Sequence, residues 1–591
     1  MSATRHADRA DRWWQTAVVL EVYPRSFADS NGDGIGDLRG VIERLPYLES
    51  LGVDGIWLTP FQRSPQVDQG YDISDPCDVD PMFGTLADLD ELLERAHAAG
   101  IRVLVDLVPN HTSVAHPLFQ AAVAAGPGSA ERAMFHVAPD RGDGRPPNNW
   151  VSVFGGPAWS RMSPGSARDT DWYLHLFSPA QPDWNWRNPA VGDMYEDVLR
   201  FWLDRGVDGV RVDVAHGLFK AEGLPDAPDA PTVIDGLRAN PLAADQEPVH
   251  DVYRRWRRVT DGYRPPRMLV GEVNLDPERA GRYTRPDEMH QAFAFAFARL
   301  GWEPAEWRRV GDELEAVRRR YGAPPTWALE NHDLVRTATR LGDGERGPAR
   351  ARAALVALLG LPGAVYVYQG QELGLPEVDV PVDARQDPMW ARGGVSRDGA
   401  RVPIPWTAAP EGAHGFSPGR TPPHRGCRSP QAGESAPSTS RRPTPTRRSP
   451  CSAGPCGCAA SCSRRGRSAP RRAARGTCPP TACSPAGGTV APSSRSRWAR
   501  PPCPCPTATS CWRAVRSPAG CSRPTRPRGS SRADSGHPAH RGGVVTAAAS
   551  ATAAASSGRR GGRCAAQRTV PRIRATCRWS TTRSGCSPST R

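Results

Sequence analysis

The chain has 591 residues, enough for several domains, and a formal net charge of +14. Residues 421–591 hold 31 arginines, no lysine and only Glu434 and Asp534, so the first 420 residues are net acidic, which excludes reading the whole chain as one basic nucleic-acid binder. Cys77 stands alone before residue 421 and 14 cysteines follow it, so the first part suits a reducing compartment without a disulfide framework.

The opening residues, MSATRHADRADRWW, are charged and lack an apolar core, so they do not read as a secretory signal. No apolar run reaches the ~18 residues a membrane helix needs. The expectation is a cytoplasmic protein with neither membrane nor nucleic acid as partner.

Residues 17–24 (AVVLEVYP) form a strand-like run. After it, Asp29, Asn31 and Asp33 alternate, with Ile35 and Asp37 beyond, in a glycine-rich loop. That spacing suits a hard cation such as Ca²⁺, although Gly40 stands where an EF-hand has Glu, and an Asx-rich turn without metal is the alternative. A helix over 39–51 leads to a strand at 54–60 and then a polar loop containing Gly70, Tyr71 and Asp72. A second helix (86–100) precedes a strand at 102–110, which ends in Asp106, Asn110 and His111.

Residues 112–184 interrupt this rhythm with Gly, Pro, Asn and Trp. An excursion of that length is normally functional or a small subdomain. Trp150, Trp159, Trp172, Trp184 and Trp186 are either sugar platforms or packing residues.

A helix at 192–205 feeds Gly206–His216 (GVDGVRVDVAH), an apolar run of β-branched residues interrupted by Arg211, Asp213 and His216. Arg211 and Asp213 are two apart and share one side of the strand. Buried charge is costly unless paired, so this stretch is either a structural ion pair or a reactive centre. Further strands follow at 267–273 with Glu272, at 290–297 where Phe and Ala alternate, at 325–331 leading to His332 and Asp333, and at 363–369. Eight strands separated by helical segments predict an α/β (β/α)₈ TIM barrel with a subdomain inserted after strand 3. The domains are 1–110 as the first part of the barrel, 111–184 as the inserted subdomain, 185–415 as the rest, and 416–591 as a low-complexity tail.

In such a barrel Asp213, Glu272 and Asp333 converge at the carboxyl ends of strands four, five and seven. Two carboxyl groups about 5 Å apart suit a retaining glycosidase, and Arg211 supplies the charge that keeps a nucleophile ionised.

The segments DLVPNHT (106–112), GVRVDVAH (209–216), GEV (271–273) and ENHD (330–333) resemble, in order and spacing, the four signature regions of glycoside hydrolase family 13, the α-amylase family. QPDWNW (181–186), DSNGDGIGDL (29–38) and SRDGARVPIPW (396–406) resemble markers of its oligo-1,6-glucosidase and α-glucosidase branch. The resemblance implies that Asp213 is the nucleophile, Glu272 the acid/base and Asp333 a binder of sugar hydroxyls. It implies further that Tyr71, Asp72, His111, Arg211, His332 and Arg401 hold the terminal glucose. Asp29, Asn31, Asp33, Ile35 and Asp37 would hold a structural Ca²⁺ or Mg²⁺, with no organic cofactor. Val214, after the nucleophile, occupies the position linked to bond preference. A glucosyl-transferring member such as a trehalose synthase or sucrose hydrolase is the alternative, and a non-catalytic transporter heavy chain is opposed by the intact carboxylates. The partner is a small oligosaccharide, and the expected assembly is a monomer or small homo-oligomer.

The tail departs from that pattern. After residue 420 there is no Leu, Lys, Phe, Tyr, Met or Asn, and Ile573 is the only Ile. Such a composition cannot bury enough apolar surface to offset ordering entropy. A basic nucleic-acid tail, a zinc module at CGC (456–458) or CPC (503–505), and GC-rich DNA translated out of frame from about 415–425 are the three readings. The last accounts for the composition and predicts that strands one, seven and eight lack their covering helix.

Overall fold

The computed structural model describes residues 12–228, 240–342 and 344–418, all within one compact unit. The tail, with its frameshift, zinc and nucleic-acid readings, lies outside the described residues.

Eight parallel strands form the centre: β1 (Val18–Val22), β2 (Gly55–Leu58), β3 (Arg102–Leu107), β4 (Gly209–Val212), β5 (Met268–Gly271), β6 (Gln291–Ala292), β7 (Thr326–Ala328) and β8 (Ala364–Tyr368). Their order is β6-β5-β4-β3-β2-β1-β8-β7. A parallel bridge between Phe293 and Thr326 joins the two ends into a ring. Strand alternation sorts the side chains. Val19, Trp57, Leu104, Met268, Val270, Ala328, Ala364 and Tyr366 pack together inside the ring. Leu20, Val22, Ile56, Val103, Val105, Val210, Val212, Leu269, Val365 and Val367 face the surrounding helices. On the same inward register as Val19, Leu104 and Val270 come Glu21, Asp106 and Glu272, which is why acidic groups appear at the top of an apolar barrel.

The helices are cut by local signals. Thr85 and Asp88 make a reciprocal capping box at the start of Leu86–Ala98. Gly206, with φ of 111°, ends Pro189–Arg205 and turns the chain into β4. At Gly209 a Cβ would stand 2.6 Å from the Met268 carbonyl oxygen, so glycine is what lets β4 and β5 approach. Between β3 and Pro189–Arg205 the chain builds a three-stranded antiparallel sheet from Val137–Pro139, Asp171–Leu174 and Trp159–Arg161, with Asp171–Leu174 in the middle.

Two expectations are corrected. The strand at 290–297 shrinks to Gln291–Ala292, and Phe295–Ala298 is a helical turn. Phe293 and Phe295 fill the barrel interior while Phe297 faces the helices, so the Phe/Ala alternation reports sidedness without an extended backbone. The outward faces of β1 and β8 are also buried: Leu20, Val365 and Val367 cluster with Leu373, Leu375, Ile404 and Trp406 from the loops after β8. Exposed apolar side chains include a group at Arg346–Gly360 and just beyond it, where Val356, Leu359 and Leu361 are 70%, 50% and 42% exposed.

Candidate active site

β4 carries Arg211 inward, and Asp213 follows one residue past the strand. Arg211 is fully buried. Its Nη1 bonds Asp106 at 2.8 Å and also Asp213, and its Nη2 lies 2.9 Å from Glu272. The guanidinium is further flanked by the rings of Trp57 and Tyr71. Trp57 Nε1–H and the Tyr71 hydroxyl donate to Asp106. One cation thus organises three carboxyl groups from β3, β4 and β5.

Asp213 and Glu272 are brought together on that one guanidinium, and two adjacent carboxylates cannot both be ionised cheaply. Burial raises the Asp213 pKa well above the ordinary value; Arg211 pulls against this, and Glu272 and Asp106 add to it. Burial likewise pushes Asp106 up to about 6 against the pull of Arg211. The Val214 N–H donates to Glu272 at 2.9 Å. Val214 has φ of 44°, a conformation in which a β-branched residue is strained.

Asp333 sits across the site. Arg401 Nη2 lies 2.6 Å and Arg397 Nη1 3.1 Å from its Oδ1. Burial would raise this carboxyl, but His332, Arg397, Arg401 and Arg211 hold it well below the usual range. These groups open on a cavity of about 330 Å³, lined among others by Asp68, Tyr71, His111, Asp213, His216, Glu272, Asp333 and Arg397.

His111 lines that cavity with burial lowering its pKa to about 4, so it is a neutral ring bonded to Gln181 and Asn110. Asp72 does not line it. Its carboxylate accepts from Ser64 Oγ and from the Val67 and Asp68 N–H groups, which braces its own loop. The aspartate that faces the cavity is Asp68, bonded to Gln181 Nε2 at 3.0 Å and paired with Arg397 at 3.0 Å. Trp150, Trp159, Trp184 and Trp186 are buried. Trp172 lies under Arg161, and none of the five lines the cavity.

In the 29–37 loop, Asp29 accepts from Asn31, Gly32 and Gly34 N–H groups, Asn31 from Asp33 N–H, and Asp33 from Ile35 N–H. Asp37 caps Leu38–Glu43 and bonds Ser30. The donor set is all oxygen, as a hard cation requires. Yet among the described residues no group of three His, Cys, Asp or Glu side chains is gathered to hold a metal ion.

Sequence reasoning missed Glu21, Asp68, Arg397 and the buried Lys220–Asp183 pair at 2.9 Å. Glu21 left a signal, as a lone carboxylate inside an apolar strand.

An eight-stranded parallel barrel with acidic side chains from β4, β5 and β7 around one cavity is the architecture of a glycoside hydrolase. The family profile described as "Alpha amylase, catalytic domain" matches residues 21–422, and the chain belongs to that family, glycoside hydrolase family 13. A "Probable alpha-glucosidase" of Rhizobium meliloti (strain 1021) is 41% identical over 433 residues, covering 68% of this chain and 75% of the relative. "Trehalose-6-phosphate hydrolase" of Escherichia coli (strain K12) is 39% identical over 61% of this chain and 66% of its own length. Among solved structures, the "alpha-glucosyl transfer enzyme, XgtA" superposes with a TM-score of 0.65 at 40% identity, covering 70% of this chain and 79% of its own. Among the described residues no helix is long and apolar enough to cross a membrane.

Proposed function

We propose that the chain is a retaining, exo-acting α-glucosidase that removes terminal glucose from short α-linked oligosaccharides. The observation that carries this reading is the convergence of the Asp213 and Glu272 carboxyl groups on the one Arg211 guanidinium. Groups this close leave no room for the interposed water of an inverting enzyme. Asp213 attacks the anomeric carbon while Glu272 protonates the departing oxygen, giving a covalent β-glucosyl ester. Glu272 then takes a proton from water, which attacks the same carbon and restores the α-configuration. Asp333, ionised by its two arginines, hydrogen-bonds the ring hydroxyls as the sugar flattens. Asp68 and His111 line the glucose cavity, His332 and Arg401 flank Asp333 from behind it, and Tyr71 offers its ring.

Hydrolysis of p-nitrophenyl-α-glucoside followed by proton NMR tests this, with α-glucose expected as the first product. A fluorinated glucosyl fluoride should leave its label on Asp213 in a peptide digest. β-Glucose as first product, or label elsewhere, would overturn the mechanism.

Transfer to a sugar acceptor is the second reading, supported by the likeness to a solved glucosyl-transfer enzyme. Product analysis on maltose, isomaltose and sucrose separates the two. The reading extends to a structural Ca²⁺ or Mg²⁺ at 29–37, and to a cytoplasmic location consistent with Cys77 being the one cysteine before residue 421.

A further inference from the structure

We propose that Glu21 is the positioning residue that holds His332 with its hydrogen on Nε2, aimed at Asp333, which lines the glucose site. This rests on the glucosidase reading and assigns a function to a side chain that touches no substrate.

Glu21 is 2% exposed on β1, and its Oε1 lies 2.5 Å from His332 Nδ1. The opposite ring nitrogen, Nε2, lies 3.5 Å from Asp333 Oδ2. The ring stacks with Tyr71, at 5.2 Å and 13°, and with Tyr23, at 5.8 Å and 7°. Arg401 Nε donates to the His332 carbonyl, fixing the backbone as well. With Nδ1 held against Glu21, what distinguishes the possible states is where the ring's hydrogen sits.

Three states compete. A neutral ring with hydrogen on Nδ1 would turn the Nε2 lone pair toward Asp333, which Arg397 and Arg401 keep ionised, so it is repelled. A cationic ring against anionic Glu21 requires two buried charges. A protonated Glu21 donating to Nδ1 needs none, and it leaves Nε2–H directed at Asp333. Burial raises Glu21 against the pull of Arg211 and the His332 N–H, and lowers His332 against the pull of Asp333, and in both burial is the larger effect, which favours this last state. The charged groups facing Glu21 are Arg211 on β4, Asp106 on β3, and Asp333 beyond β7; the two aspartates add to its rise and Arg211 opposes it.

The test combines ¹⁵N NMR of histidine-labelled full-length protein with two variants. The His332 signals are assigned by their loss in His332→Gln. The wild type should show Nδ1 bare and Nε2 protonated at pH 7. Glu21→Gln, whose amide can donate to Nδ1, should keep kcat/KM within about threefold. Glu21→Met, which cannot, should lose about tenfold or more, the scale of one buried hydrogen bond.

A ring protonated at Nδ1, alone or at both nitrogens, overturns the proposal. So does Glu21→Met with unchanged kcat/KM, or Glu21→Gln impaired as much as Glu21→Met. The NMR arm reads no activity. A wild type that hydrolyses no α-glucoside therefore refutes the glucosidase reading while the tautomer is still decided.

Discussion

Arg211→Met is the perturbation that separates a structural ion cluster from a working one. Methionine roughly keeps the volume but removes the cation that Asp106, Asp213 and Glu272 share. Leaving a buried charge without its partner typically costs about 3–5 kcal/mol. A folded unit of about 400 residues unfolds with an entropy of roughly 0.8 kcal/mol/K, so the Tm should fall by about 4–6 °C at pH 7. The same energy withdrawn from the ionised nucleophile corresponds to a drop of about 10²–10⁴ in kcat. The loss should also depend on pH. Without Arg211 the buried carboxyls have folded pKa values above their unfolded ones, so the variant's stability is fully present below the unfolded carboxyl pKa and is lost as pH rises. The Tm gap to wild type should accordingly widen from pH 4 to pH 8, and the acid limb of kcat/KM should move upward. Calorimetry and p-nitrophenyl-α-glucoside kinetics across that range read both. A variant within tenfold of wild-type kcat, with an unmoved pH profile and an unchanged Tm, would refute the claim that this guanidinium tunes the catalytic pair.

Asp68→Asn should lower kcat/KM by about 10–100-fold, whereas Asp72→Asn should lower Tm by a few degrees with kcat/KM nearly kept; reversed outcomes would return Asp72 to the glucose site. Asp68 is raised to about 6 by burial, against the pull of Arg397 and Arg401, so its ionisation subtracts stability as pH climbs through that value, and Asp68→Asn should compare better with wild type in Tm at pH 8 than at pH 4. Removing divalent cations with EDTA should lower Tm and added Ca²⁺ should restore it, as a thermal-shift titration reads; an unmoved Tm leaves 29–37 a purely hydrogen-bonded turn. The DNA beyond codon 420, translated in its other two frames, should yield a helix followed by alternating strands, and a chain so restored should be more soluble; neither frame doing so sinks the frameshift. Val356→Lys with Leu359→Lys should raise the soluble yield of the present chain without changing kcat, since both side chains are exposed and far in sequence from the catalytic set.

How much was legible in the sequence follows from how much each residue's role depends on period alone. Seven of the eight strands are legible because apolar runs in a parallel sheet are bounded by glycine or polar turns, and the remaining one, Gln291–Ala292, is legible only through the Phe/Ala alternation that overruns it. Asp213, Glu272 and Asp333 were found because a strand end is also a position in the barrel, so motif order implied convergence. Asp72 is implied by the family resemblance alone, and Asp68 is not legible because the intervening loop has no period. Gln66, Gln69 and Gly70 all take positive φ, and each such residue reverses the chain, so counting along the loop does not say which carboxylate faces inward. Glu21 was overlooked for the opposite reason. It keeps perfect strand register, alternating with Leu20 and Val22, and its partner His332 lies 311 residues away. A lone acid in an apolar strand is a signal of pairing, but it does not say with what until its counterpart is located. The physical rule that would have flagged it is the one applied to Arg211 and Asp213: an ionisable group inside an apolar run must be paired, and in a barrel the place to seek its pair is the far end of every other strand.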